Sequence, residues 1–422
     1  MKITVIAAGS RGDIQPYLAL AKGLCDAGHQ VKLATHENFK AWVESYNIQY
    51  ATLTGNSQQM IQDGEAQEWV NSGDDPRKFM SGFKRLMGPV MKQAILDTWE
   101  ASKGADLIVP GSLAYYGAYV VNREMHIPWV QTFLQPIHPT GAFPSPLLPS
   151  YHTYGPLRNM LSHYVAGWGT WAMMRSDYNK VLQETLGVRG LPFIGVFGEN
   201  ERKGIPALYG YSPSFLPKPR NWAKHIHVTG YWFLDQSQHW QPPADLLDFL
   251  DSGPAPVYVG FGSMSTEDPE ATTQMVIDAL HKAGQRGILL KGWGAIRDTG
   301  QPSDDVFFID SAPHEWLFPR MEAVVHHGGA GTTGAGLRAG KPSILTPYFA
   351  DQPWWGMRVY ERGVGPRPIP RAELTSDNLA TAITEALNGS GMRERAAKLG
   401  EQIRAEGGVG TAVRIIESAG GK

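Results

Sequence analysis

Three times in this chain an apolar run passes straight into a glycine-bearing turn that opens toward a helix. The first is "KITVIAAGSRGDIQP" at 2–16, the second "PVYVGFGSMS" at 256–265 and the third "EAVVHHGGAGTTGAGL" at 322–337. A short strand that is apolar on both faces belongs in a sheet covered on both sides. A helix directly after it supplies the crossover that parallel strands need. The junctions therefore dictate β-α-β winding, and they start twice, once at residue 2 and again near residue 256.

The flanking segments extend the pattern. After "KITVIAA" comes a helix with Leu18, Leu20, Ala21 and Leu24 at helical spacing, ending near Gly28. Then come the strands "QVKLAT", "ADLIVPG" and "WVQTFL". After "PVYVGFGSMS" the helix "PEATTQMVIDALHKAG" leads to the strands "RGILLKGW", "VFFIDS", "EAVVHHGG" and "KPSILTPYF". This is an α/β chain with two Rossmann-like units. The expected division is a first unit at 1–215, a Pro- and Trp-rich linker at 216–241, a second unit at 242–395, and closing helices at 396–422 that cross back to the first unit. The length of 422 residues agrees, at about 100–200 residues per domain.

Composition narrows the partners. A net charge of -2 gives no electrostatic reason to bind nucleic acid. Cys25 is the only cysteine, so no internal disulfide and no cysteine metal cluster can form, and a reducing cytoplasm fits. No stretch of about 18 apolar residues exists to span a membrane. The supply of 13 Trp, 16 Tyr and 15 Phe is compatible with peripheral membrane contact. The stretch from Gln135 to about Trp171 is crowded with prolines and aromatics near its start, and reads as a large loop over a pocket.

The glycine turns carry the chemistry. A helix start leaves backbone N–H groups unpaired and positive, and glycines let an anion approach them. Gly328, Gly329 and Gly331, the hydroxyls of Thr332 and Thr333, and His327 as donor or cation thus suggest a diphosphate cradle. Ser263, in the other turn of the same unit, faces the same edge of the sheet. His326, on the opposite strand face, is read as structural. Asp351 and Gln352 follow the strand "SILTP", and a carboxylate beside an amide suits the vicinal hydroxyls of a sugar. Asp13 opens the first helix, with Pro16 tolerated in the first turn. It is a candidate general base, kept ionised by the helix start. Packing for the glycines and helix capping for Asp13 and Asp351 are the competing structural roles.

Taken together, "GSRGDIQP", "VTGYWFLD", "VGFGSMS" and "PHEWLFPRMEAVVHHGGAGTTGAGLRAGKPSILTPYFADQPWWG" resemble the sterol 3β-glucosyltransferases and their bacterial relatives, UDP-dependent glycosyltransferases of GT-B fold. The resemblance implies two Rossmann-like domains facing each other across a cleft. It implies transfer of glucose from UDP-glucose, with inversion, to a hydroxyl of a hydrophobic acceptor such as a sterol, triterpenoid or flavonoid. No cofactor and no metal are needed; UDP-glucose is a co-substrate. Asp13 matches the base, and Ser263 with His327 to Thr333 the diphosphate contacts. Asp351 and Gln352 match the sugar pair, and Ala312, His314 and Trp316 the uracil site. Phe133, Phe143, Leu147, Tyr151, Trp168, Trp171 and Met173 are the candidate acceptor lining. The ribose-binding Glu of plant enzymes is replaced by Ala335. The alternatives are a dTDP- or UDP-sugar enzyme acting on antibiotics or polyketides, an NAD-dependent oxidoreductase, and an inactive lipid- or nucleotide-sugar-binding protein.

Overall fold

The computed structural model describes residues 1–55, 76–148, 152, 154–236, 240–262, 264, 266, 268–292, 294–298, 304–389 and 391–421. The first sheet has the order β3-β2-β1-β4, built from β1 (Lys2–Ile6), β2 (Gln30–His36), β3 (Gln49–Leu53) and β4 (Leu107–Pro110). Every pairing is parallel. A parallel bridge between Ile108 and Trp129 ties it to a second parallel sheet, β5 (Gln131–Phe133), β6 (Ala207–Tyr209) and β7 (Ile226–Val228). β4 is buried along its whole length and β1 at all but its first residue, as strands covered on both faces must be.

The second unit has the order β10-β9-β8-β11-β12, again parallel throughout. Its strands are β8 (Val257–Gly260), β9 (Gly287–Leu290), β10 (Val306–Ile309), β11 (Val324–His326) and β12 (Ser343–Leu345). In both units the order reverses beside the first strand, between β1 and β4 and between β8 and β11. Such switch points leave a crevice at the carboxyl ends of the strands, where ligands of open α/β sheets bind. Both glycine turns with candidate site residues sit there.

Two boundaries differ from the sequence reading. The segment 216–241 is more than a linker, because β7 completes the sheet of the first unit. The closing helices divide their allegiance. Helix Met392–Arg404 packs beside helix Ala330–Ala339 of the second unit. Helix Gly408–Gly420 lies on the first unit's helix Arg11–Asp26, where Gly23 leaves room for Val409 and His29 Nε2 meets Glu417 at 3.1 Å.

Candidate functional site between the two units

Asp13 is held by the turn that precedes it. Gly9 has φ +126°, a conformation costly for any other residue, and a Cβ there would stand 2.5 Å from Asp13 Oδ2. The carboxylate accepts from Ser10 N–H at 2.8 Å and Ser10 Oγ at 3.0 Å, the returning half of a capping box. It is open to the water of the cleft, yet protein walls on both sides displace bulk solvent. That desolvation raises its pKa above the ordinary carboxylate value, while the Ser10 bonds and His36 pull it down. The helix start alone therefore does not set its ionisation. Pro16 is the sixth helical residue, past the first turn, and has no N–H to return to Gly12 O. That carbonyl faces the second unit, 3.8 Å from where a Cβ on Gly331 would stand.

His36, which the sequence reading passed over, ends β2 and accepts from Gly9 N–H through Nε2 at 3.1 Å. Burial lowers its pKa, so the ring is neutral and its proton sits on Nδ1. The signal was present: a histidine at the carboxyl end of the strand beside β1 must reach the turn after β1.

Across the cleft, helix Ala330–Ala339 starts from Gly329. Thr333 N–H already returns to Gly329 O at 2.9 Å, leaving the amides of Ala330, Gly331 and Thr332 without a helical partner. The His327 ring lies between two glycines. A Cβ on Gly262 (φ +62°) would stand 2.8 Å from its Cε1, and one on Gly329 would stand 2.6 Å from its Nε2. The glycines are thus required by the imidazole as well as by any anion. Burial lowers the His327 pKa to about 4, so the ring is a neutral hydrogen-bonding group and not the cation the sequence allowed. His326 Nδ1 accepts from Gly328 N–H at 3.0 Å and shapes the turn.

Asp351 begins helix Gln352–Glu361 and accepts from Trp355 Nε1 at 2.8 Å. Burial raises its pKa to about 6, and the Asp13 charge adds to the rise. Ala350 before it has φ +57°, a left-handed conformation costing about 1–3 kcal/mol in a non-glycine residue. Gln352 holds this turn, its Oε1 accepting from Tyr348 N–H at 2.8 Å. The same oxygen accepts from Phe349 N–H at 3.4 Å, and Nε2 donates to Met264 Sδ at 3.8 Å, which leaves one N–H of the amide to donate.

These residues line one cavity of about 1640 Å³ between the units. Asp13, His36, Ala312, His314, His327, Gly329, Gly331, Thr332, Asp351 and Gln352 all contribute to its wall. His314 stacks on Phe318 with centroids 4.3 Å apart, and burial lowers its pKa to about 4. Among the described residues no group of three or more His, Cys, Asp or Glu is arranged to hold a metal ion.

Other expected site residues lie elsewhere. Gly328 (φ +94°) is packed against Leu345 and Gln352, and the Thr333 hydroxyl is fully buried, so both support the turn from behind. Trp316 is outside the cavity wall; it packs edge-on against Trp240, which is in it, and under Arg320. Ser263 and Tyr151 fall outside the described residues. The acceptor lining is the main correction. Phe133, Phe143 and Trp171 are core side chains, Met173 packs against that core, and Leu147 and Trp168 are exposed on the outer surface. Aromatic content marked these segments, but it does not distinguish a pocket from a core. Among the described residues of the Pro-rich loop only Gln135 lines the cavity. Phe143 instead packs edge-on against Trp354 of the second unit, whose Nε1 donates to Pro144 O at 2.8 Å. The first unit's wall is made by Trp42, Tyr46, Val90, Leu113, Leu134 and Gln135.

Two units of parallel sheet whose switch points face each other across a cleft define the GT-B architecture. Solved structures agree. The glycotransferase of kitacinnamycin matches with a TM-score of 0.71 at 20% identity over 99% of this chain and 98% of that one. CalG4, the calicheamicin glycosyltransferase, matches with a TM-score of 0.69 at 19% identity over 100% and 98%.

Sequence similarity narrows the class. Residues 3–109 match the Glycosyltransferase family 28 N-terminal domain, and residues 275–416 match the Erythromycin biosynthesis protein CIII-like, C-terminal domain. The chain is 37% identical over 425 residues to Sterol 3-beta-glucosyltransferase UGT80A2 of Arabidopsis thaliana, covering 99% of this chain and 65% of that protein. It is 37% identical over 440 residues to a Sterol 3-beta-glucosyltransferase of Cryptococcus neoformans, covering 99% of this chain and 27% of that one. The chain thus spans less than two thirds of the length of these relatives. Its fold is that of the GT-B glycosyltransferases, and over 99% of its length its sequence is similar to the sterol 3-beta-glucosyltransferases.

Proposed function

We propose that this chain is an inverting glucosyltransferase that moves glucose from UDP-glucose to a hydroxyl of a hydrophobic acceptor, a sterol first among them. One observation carries the reading. Asp13 of the first unit and the free amides of Ala330 to Thr332 of the second share one cavity, and Gly12 O is 3.8 Å from where a Cβ on Gly331 would stand.

The diphosphate would rest on those amides, with His327 as a neutral donor. Such oriented dipoles stabilise charge that develops on a leaving group without reorganising. Asp351 would accept from sugar hydroxyls and the Gln352 NH₂ would donate to one. Ala312 and His314 would line the base site, with Trp240 in place of the expected Trp316. Asp13 would take the acceptor's proton as its oxygen attacks the anomeric carbon from the face opposite UDP. A carboxylate whose pKa is raised by its surroundings is a stronger base once ionised, and general-base help is worth about 10²–10⁴-fold. Trp42, Val90, Leu113 and Leu134 offer the acceptor an apolar wall. A sterol resides in a bilayer, so peripheral membrane contact belongs to this reading, as does a cytoplasmic setting for the unpaired Cys25. The test is an acceptor panel with UDP-glucose and dTDP-glucose side by side, read by product mass. A sterol glucoside formed from UDP-glucose supports the proposal; no transfer to any alcohol from either donor overturns it.

A further inference from the structure

The helix Pro156–Glu184 is built inside out. Its buried positions include Asn159 and His163, which bond to backbone carbonyls: Asn159 Nδ2 donates to Gly141 O at 3.0 Å, and His163 Nε2 lies 3.1 Å from Phe143 O. Its outward positions are Leu157, Leu161, Tyr164, Val165 and Trp168, spaced four, three, one and three residues apart. That is one continuous helical face. From Leu157 to Trp168 it is about 16 Å long at 1.5 Å per residue. Leu157 is 82% exposed and Trp168 54%. At the far end the stripe continues onto the turn at Phe193 and Ile194, which are 65% and 79% exposed. Trp171 Nε1 and the Arg175 guanidinium hold that turn against the helix. At the near end Leu147 and Tyr154 flank it through Ser145, Ser162 and Asn159. Of the eleven exposed large hydrophobic side chains among the described residues, nine belong to this face.

Charge selects the occupant. From Gln131 to Met174 the only Asp, Glu, Lys or Arg is Arg158, which is exposed. Arg175, Asp177, Lys180, Glu184 and Arg189 follow. The first carboxylate on the helix is Asp177, which faces Lys92 at 3.8 Å. A twofold pairing of this stripe with itself would bring two Arg158 side chains together with no carboxylate between Gln131 and Met174 to serve as counter-charge. An anionic bilayer supplies that counter-charge, takes up Leu, Val, Ile and Phe, and suits Tyr and Trp at its headgroup level.

We infer that the outer face of helix Pro156–Glu184, with Leu147, Tyr154, Phe193 and Ile194, docks on a lipid bilayer bearing anionic headgroups. The docked surface is next to the Pro-rich loop, and that loop touches the second unit at Trp354. The inference stands apart from the roles of Asp13 and the diphosphate turn.

The test is co-sedimentation of the full chain with vesicles of phosphatidylcholine alone and with about one third phosphatidylglycerol. Wild type sediments with the mixed vesicles, less so as salt rises. L157S/L161S/W168S lowers the bound fraction about tenfold or more, while UDP binding in solution is unchanged. F193S/I194S, on a separate segment, shows the same loss and covers the case in which the first variant misfolds. No sedimentation of wild type overturns the inference. So does equal binding by both folded variants, or a wild-type dimer in ultracentrifugation that the substitutions convert to monomer.

Discussion

The two walls of the cleft are made differently. Opposite the Gly9 to Asp13 turn the second unit presents backbone: the helix-start amides of Ala330 to Thr332, and glycines that leave room for the His327 ring between Gly262 and Gly329. The first unit presents one polar turn, Gly9 to Asp13, with His36 and Gln135 and the apolar side chains of Trp42, Val90, Leu113 and Leu134 drawn from separate segments. Backbone sites depend on residues close in sequence and so tolerate little substitution. Side-chain walls are assembled from distant segments and can be exchanged piecemeal. On the function proposed here, the donor rests on local geometry, whereas the acceptor is chosen by tertiary packing.

The sharpest way to break this contrast is at Asp13. Asp13→Ala should lower turnover by about 10²–10⁴-fold while the UDP dissociation constant, read by calorimetry, stays within about twofold. Equal loss of both would mean that the turn is a structural cap. Next in size is Gly329→Ala. Its Cβ would overlap His327 Nε2, so UDP affinity should fall about tenfold or more with the melting temperature little changed. Unchanged UDP affinity would remove the His327 sandwich from the donor site.

A smaller effect separates the two functions of Gln352. Gln352→Glu keeps an oxygen for Tyr348 N–H but removes the NH₂ donors. It should lower kcat/KM for UDP-glucose about fivefold and leave UDP binding intact. If UDP binding falls equally, the side chain serves only the turn.

The smallest concerns Asp351. Its folded pKa, about 6, lies above the unfolded value near 3.8, so its favourable contribution is complete below the unfolded value and is lost as pH rises through about 6. Asp351→Asn does not titrate and can still accept from Trp355. Relative to wild type it should gain about 1 kcal/mol of stability at pH 8 over pH 3, a figure reduced for solvent screening of this half-buried group. No pH dependence of that difference in denaturant titrations would show that Asp351 is not strained. Wild-type kcat/KM should meanwhile fall as pH drops below about 6, as Asp351 is protonated beside Asp13, whose own pKa is raised.

What could be read from the sequence follows the same division. The strand-to-glycine-to-helix junctions announced both sheets, and Asp13, His327, Gly329, Gly331, Thr332, Asp351 and Gln352 all reach the cavity, because each lies within a few residues of a strand end. β7 was hidden because three residues, "IHV", carry no period. Phe133 and Phe143 misled because an aromatic side chain is equally suited to a core, and only the packing of Tyr115, Tyr209, Trp222 and Trp354 around them decides. Leu157, Leu161 and Trp168 have ordinary helical spacing; which way that face points is set by Asn159 and His163 reaching inward for the loop carbonyls.

Direct displacement with Asp13 opposite the diphosphate has a stereochemical signature. UDP-glucose carries an α linkage, so the anomeric proton of the product, read by NMR at early times, reports the path. The account predicts a β-glucoside; an α-glucoside would contradict attack from the Asp13 side.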